Sequence, residues 1–518
     1  MSMAKRYDDI IIGAGSSGVP LAARLSEDSA RRVALIEAGP DYPTEEGTPR
    51  DLLNGGSMSL VQHNWGFSAD ITPGRTVSYP QGRVVGGSSA IGNTVCIRGM
   101  PGDYDEWAAA GNPAWSWAQT LPYFRTLEDD LDFGGEFHGK GGPTPIRRFR
   151  PDDLVPVQQS FYDACFEAGF PLCEDHNHPE STGVGPMPSN RGRDDITSRV
   201  STATAYLPAV RSRENITVIP DTVVSRVLFA NGRACGVELL SGSTVHQLRG
   251  RRVILAAGVA GSPAILVRSG IGPADDLRRL GIDVRADLPG VGEGLVDQPR
   301  VGVFLTPKPG EENIGLPTSQ IVMRTTSATG GERNDMYYAM VSHFDLTRQF
   351  TGLRPFADGP RVFSVMAVVR RPRARGRVTV TSTDPREAPR IALNFLDNEH
   401  DLRILMEGVR TSWQLANCPK IRDRGHGFVL LDESTIDSDD VVREYVRISV
   451  ESAYNAIGTV RMGPGTDAGT VVDQHCQVHG VEGLYVADSS IIPFMVRGNT
   501  GLTTTMIGER VAAQLRGV

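Results

Sequence analysis

The 518-residue chain lacks several features that would have placed it in other classes of protein. Its six cysteines, Cys96, Cys165, Cys173, Cys235, Cys418 and Cys476, are scattered without a C-x-x-C pair. That spacing argues against a zinc cluster or a redox dithiol and suits reduced thiols in a cytoplasmic protein. No apolar run approaches the roughly 18 residues needed to span a bilayer, and the stretch from Met1 to Asp9 has no apolar segment of the signal-peptide kind. Basic residues form no long run and the net charge is −8, so nucleic acid is not an expected partner. A G-x-S-x-G nucleophile elbow is missing, which removes support for a Ser-His-Asp hydrolase. No internal repeat or extended low-complexity segment stands out.

What is present is enough apolar sequence, 40% of residues, for sizeable cores, in a chain long enough for two domains or more. At the N-terminal end the apolar run Ile10–Ile12 leads into Gly13-Ala-Gly-Ser-Ser-Gly18 and then a helical pattern through Leu25. This is strand, glycine turn, helix. Gly13 permits the tight turn, Gly15 lets the backbone approach a pyrophosphate, and Gly18 allows helix and strand to pack closely, with the helix N-terminus facing the negative charge. A second strand, Arg32 to Glu37, ends in an acid about 20 residues after the glycines, where a ribose hydroxyl would be bound. The unit predicts a bound dinucleotide and does not by itself choose between NAD and FAD.

Later segments choose. Gly82-Arg-Val-Val-Gly-Gly-Ser-Ser-Ala-Ile91, Leu255 to Gly272, and Gly483 to Pro493 resemble three signatures of the glucose–methanol–choline (GMC) flavin oxidoreductases. The likeness extends over nearly the whole chain, and the general appearance is that of bacterial aryl-alcohol and hydroxymethylfurfural oxidases. The resemblance implies an α/β protein: a Rossmann-like FAD-binding domain, discontinuous in sequence, with a second α+β substrate domain built on an antiparallel sheet. The expected boundaries are 1–148, 199–299 and 451–518 for the FAD domain, and 149–198 and 300–450 for the substrate domain. FAD contacts implied by the resemblance are Gly13, Gly15, Ser17, Gly18, Glu37, Ala38, Arg83, Gly86, Gly87, Ser88, Asn93, Thr94, Val224, Ala257, Asp488, Asn499 and Thr500. Some family members anchor FAD through a His where this chain has Ile91, so the cofactor is expected to be held noncovalently.

The segment Ser452 to Gly463 resembles the family's H-x-x-G-T-x-x-M-G stretch, with Asn455 in the place of the catalytic His. Asn499 matches the second catalytic position, and Tyr454 is expected to line the substrate side. In the family, a His removes the hydroxyl proton while hydride leaves for flavin N5. An amide orients an alcohol without deprotonating it. The implied activity is oxidation of a small primary or aromatic alcohol, with O₂ or another electron acceptor. Three readings of Asn455 stay open: an inactivating change, a variant whose base is another residue such as His63, His343 or Glu451, or a flavin protein that no longer oxidises alcohols. Val291 to Gln298 resembles V-G-x-N-L-x-D-H with Gln298 for His, a site expected to serve packing and hydrogen bonding at the domain junction.

Between these motifs, Asn215–Ile219 and Val223–Phe229 alternate like antiparallel strands, with Asn231-Gly232 as a hairpin turn. Val362–Val369 and Gly376–Thr381 read as strands and Asp401–Leu415 as a helix. Asp175-His-Asn-His178 reads as a solvated loop rather than a metal site, and Trp107, Trp115 and Trp117 as core.

Overall fold

The computed structural model describes residues 6–517. The N-terminal apolar run forms the strand Tyr7–Ile12 inside a seven-stranded sheet. It pairs in parallel with Val33–Ile36 on one side and with the second half of Thr244–Leu255 on the other. Val33–Ile36 is buried along its whole length, as a parallel strand covered on both faces must be. Leu484–Val486 adds a further parallel strand, while the first half of Thr244–Leu255 pairs antiparallel with Arg233–Ser241.

The hairpin at Asn231-Gly232 forms as expected, both residues taking positive φ (50° and 78°) between Val223–Ala230 and Arg233–Ser241. The other strand of that expectation does not pair there. Ile216–Ile219 lies parallel to Val33–Ile36 at the edge of the nucleotide sheet. Alternation reports that one face is covered and says nothing of the partner, and Asp221, at φ 49°, turns the chain before Val223.

A second, antiparallel seven-stranded sheet runs in the order Gly425–Phe428, Pro299–Pro307, Arg361–Val369, Met336–Asp345, Ile321–Thr325 and Gly183–Pro186, with Glu451–Ser452 beside Pro299–Pro307. The helix Glu399–Ala416, capped by the Asn398 side chain, buries Leu402, Leu405, Val409 and Trp413 in the core of this half. A smaller sheet joins Ser68–Thr72 and Arg75–Ser78 to Gly376–Thr379 and Arg390–Ala392. Two large apolar cores result. Phe67, Ala69, Ile71 and Tyr79 pack in the second core. Ser68–Thr72 pairs at its edge with Arg390–Ala392, distant in sequence.

Asp175–His178 is solvated only in part, with His178 exposed and its two central residues inside. His176 and Asn177 are buried, and Asn177 Nδ2 donates to the carbonyl of Cys96 at 2.9 Å. Asp175 joins a buried charge cluster with His138, Asp130, Glu128, Arg148 and Arg98. Glu128, Asp130 and His138 stand close enough together to surround a cation. Arg98 and Arg148 already supply positive charge to those carboxylates. Trp107 and Trp115 are fully buried, while Trp117 is partly buried against the first core.

Candidate active site

A cavity of about 470 Å³ runs from the glycine turn to the second sheet. Its near end is a backbone cradle. A Cβ on Gly87 would stand 2.7 Å from the Gly15 Cα, yet one on Gly15 would meet nothing closer than 3.9 Å. The two chains thus face each other across a slot that side chains would fill. Thr94, in a left-handed conformation (φ 58°), has a buried Oγ1 without a partner in the cavity wall. Open backbone at a helix N-terminus and an orphaned hydroxyl fit a pyrophosphate-linked cofactor.

Glu37 lines this end, its carboxylate accepting from Ala14 N at 2.9 Å and Gly39 N at 3.0 Å. Burial pushes its pKa up to about 7 against those two N–H groups. Asp488 also lines the cavity, but its oxygens accept from Gly258 N (2.9 Å), Ser490 N (2.8 Å) and the Ser262 hydroxyl, so protein donors already occupy them. Gly13, Gly15, Ser17, Ala38, Gly87, Ser88, Asn93, Val224, Ala257, Asn499 and Thr500 line the same cavity, as does Ile91, whose side chain offers no covalent anchor.

Three expected contacts lie off it. Arg83 is exposed, donating to the Ala38 carbonyl and resting over the Trp65 ring. Gly86 turns the chain at φ 106°, its N–H on the Ala14 carbonyl. Gly18 packs against the turn, where a Cβ would stand 1.9 Å from the Gly13 carbonyl oxygen.

The far end holds the expected catalytic residues. Tyr454, also left-handed (φ 59°), turns the chain so that Tyr454 and Asn455 both line the cavity. Asp297 fixes the backbone here, accepting from the Asn455 N–H (2.8 Å), the Tyr79 hydroxyl (2.6 Å) and the Ser452 hydroxyl. The Asn455 side chain is held from both ends: Nδ2 donates to Gln298 Oε1 at 2.9 Å, and Oδ1 accepts from Thr500 N at 3.3 Å.

Gln298 hydrogen-bonds as expected, its Nε2 donating to the carbonyls of Arg370, Val496 and Gly498. Its Oε1 also accepts from Arg370 Nη1 at 2.7 Å, and Arg370 Nη2 donates to Asn499 Oδ1 at 3.1 Å. One chain of hydrogen bonds, Asn455–Gln298–Arg370–Asn499, therefore spans the corner. Sequence reading missed Arg370. The only signals were a charged residue directly after the buried strand Arg361–Val369 and a second motif position with an amide for a His.

None of the proposed replacement bases reaches the cavity wall. His63 bonds the Tyr42 hydroxyl, and His343 lies on Met336–Asp345 with its pKa lowered by burial. Glu451 accepts from Phe350 N and faces Arg300, burial pushing its pKa up. The titratable groups that line the far end are Tyr79, Tyr337, Tyr454, Arg300 and Arg370. Burial pushes Tyr337 and Tyr454 up to about 12 and raises Tyr79 well above its ordinary value. Among the described residues, nothing at this end is poised to accept a proton near neutral pH.

Models of the N- and C-terminal regions of GMC oxidoreductases match residues 7–300 and 372–508. The oxygen-dependent choline dehydrogenase of Photobacterium profundum is 34% identical, over 99% of this chain and 94% of that one. An uncharacterised GMC-type oxidoreductase of Rhodococcus erythropolis is 33% identical over 100% of both chains. Among solved structures, pyridoxine 4-oxidase from Mesorbium loti superposes with a TM-score of 0.90 at 28% identity, covering 99% of this chain and 100% of that one. GMC oxidoreductases bind FAD, and the cradle at Gly15 and Gly87 is where this chain's backbone is open to such a cofactor. With both halves matched and homology running end to end, the chain belongs to the GMC oxidoreductase family.

Proposed function

We propose that the protein oxidises the CH–OH group of a small primary or aromatic alcohol to the aldehyde, with Asn455 and Asn499 holding the substrate oxygen. The observation that carries this reading is the convergence of these two amides at the far end of the FAD cavity. Asn499 Oδ1 accepts from Arg370, leaving Nδ2 to donate to a ligand, and Asn455 keeps one N–H beyond the one it donates to Gln298. FAD, when bound, supplies the hydride acceptor, and O₂ or another electron acceptor reoxidises it.

The two amides orient the carbinol but take no proton, so the hydroxyl proton leaves to water. Without a general base the reaction runs about 10²–10⁴ slower, about 3–5 kcal/mol of barrier. Tyr454, edge-on to Tyr79 at 5.9 Å between ring centroids, forms part of the substrate wall. Support for an alcohol as donor comes from relatives named for choline and pyridoxine, both of which carry a primary alcohol.

Anaerobic mixing of the holoprotein with a panel of alcohols tests this reading. Bleaching of the flavin absorption band is the expected outcome. Product formed without bleaching would transfer the reading to lyase chemistry, and neither signal would leave a flavin-binding protein without this catalysis.

A further inference from the structure

Among the described residues, one cation at the catalytic corner has no anion to match it. Arg370 is 1% exposed and lines the same cavity as Asn455 and Asn499. The charged or ionisable groups that bear on it are Tyr337, whose ring lies 4.1 Å from the guanidinium carbon, and Arg324, a second buried cation. Its polar partners are all neutral: Gln298 Oε1, the Gly498 carbonyl and Asn499 Oδ1. Nε is buried without any partner.

Nε and Nη2 form one edge of the planar guanidinium, and Nη2 spends only one of its two N–H groups, on Asn499. Such an edge matches the two oxygens of a carboxylate. A buried charge without a counter-ion is strongly unfavourable, and a guanidinium does not relieve it by losing its proton at neutral pH. Arg300, the other cation lining this end among the described residues, also leaves Nε and Nη2 without hydrogen-bond partners but differs in having a counter-ion. Glu451 lies 3.8 Å from it, and the rings of Phe350, Tyr454 and Phe344 surround its guanidinium at 5.0–5.8 Å.

We propose that Arg370 is a carboxylate-binding site and that the alcohol substrate is a hydroxy acid, its carboxylate on the guanidinium edge and its carbinol on the Asn455/Asn499 pair. This rests on the role given to those two amides above. Because Nη2 stands 3.1 Å from Asn499 Oδ1, the carboxylate and the carbinol must be close together, as in a 2- or 3-hydroxy acid. With FAD bound as the two-electron oxidant, the carbinol would lose its C–H hydride and pass its O–H proton to water as a C=O bond forms at that carbon, and the carboxylate would be unchanged.

The same cation accounts for two amides where the family motifs have histidines. Gln298 Oε1 accepts from both Arg370 Nη1 and Asn455 Nδ2, and a carbonyl oxygen between two donors is what a fixed cation requires. An imidazolium at either position would face a like charge.

The test uses the FAD-loaded protein and two unreactive probes, benzoate and benzamide, read by perturbation of the flavin absorption band and by calorimetry. Benzoate is expected to bind about 10- to 10²-fold more tightly than benzamide, and Arg370→Gln to remove that preference with FAD still bound. Arg370→Lys should keep part of it. Equal binding of the two probes by the wild-type protein overturns the proposal whatever the variants do. So does unchanged benzoate affinity in Arg370→Gln, or in Arg370→Lys should the former fail to retain FAD. If benzoate binds through Arg370 while neither mandelate nor any alcohol bleaches the flavin, the anion site stands and the oxidation reading falls. If neutral alcohols bleach it and benzoate is not preferred, the reverse holds.

Discussion

Asn455 has no freedom to act as a passive gap-filler, because both ends of its amide are engaged and its backbone N–H is tied to Asp297. An imidazole at this position would find an acceptor already in place at Gln298 Oε1. It would also titrate beside Arg370, which shares that oxygen, so its pKa should fall below the usual value of about 6.5 and leave the ring neutral at pH 7. Asn455→His is therefore expected to accelerate flavin reduction by a neutral alcohol by about 10²–10⁴-fold. The rate should rise with pH through an apparent pKa below about 6.5, a titration that the parent lacks. Stopped-flow reduction between pH 5 and 8 measures both. A rate left unchanged or lowered, with FAD retained, would mean that Asn455 is not a lost base. The identity of Asn455 was legible from its motif, but its bond to Gln298 was not, since the two positions lie 157 residues apart.

The element that matters most is the turn between Tyr7–Ile12 and the helix Gly18–Leu25, faced by Gly87 at the start of the short helix Ser88–Ile91. Gly15 has room for a Cβ as far as the protein is concerned, with the nearest atom 3.9 Å away. Gly15→Val should thus fold normally and still fail to take up FAD, because the added branches occupy the slot between the two backbones. Bound flavin per chain, measured from absorbance, with a circular dichroism spectrum like the parent's, separates loss of cofactor from loss of fold. Full flavin occupancy in this variant would show that the slot is not the pyrophosphate site. This unit was readable in the sequence because strand, glycine turn, helix and acid are contiguous there. The partner of Ile216–Ile219 was not, because a short alternating strand fits either an antiparallel or a parallel neighbour.

Across the whole molecule, the buried charge cluster around His138 ties the segment Glu128–Arg148 to the loop at Asp175. Burial disfavours the charged ring, yet hydrogen bonds to Asp130, Asp175 and Glu128 push its pKa up to about 10. Below about 6.5 the ring is charged in both folded and unfolded chains, and its contribution to stability is fully present. Between there and the folded pKa the unfolded chain sheds the proton first, so that contribution falls as pH rises and is lost above the folded pKa. His138→Asn should lower the melting temperature at pH 6, with the gap to wild type narrowing toward pH 10. A gap of the same size in thermal unfolding at pH 6, 8 and 10 would rule out this ionic role. The loop read as solvated from Asp175 to His178 because Asp, His and Asn are usually exposed. The counter-charges that bury it come from residues 98 to 148.

The sequence by itself determined the cofactor turn, the FAD-binding fold class, the family, and the presence of amides at 455 and 499, because each is written in contiguous residues. No helix among the described residues is long and apolar enough to cross a membrane, in keeping with the absence of long apolar runs. Tertiary structure alone decided which side chains share the catalytic corner. Asn455, Gln298, Arg370 and Asn499 come from four separate stretches, joined only when the strand Pro299–Pro307 pairs with Arg361–Val369 and with Glu451–Ser452. A hydrogen-bond chain between residues so far apart leaves no pattern in the local sequence. An unpaired buried cation is visible only once the fold has fixed which groups surround it.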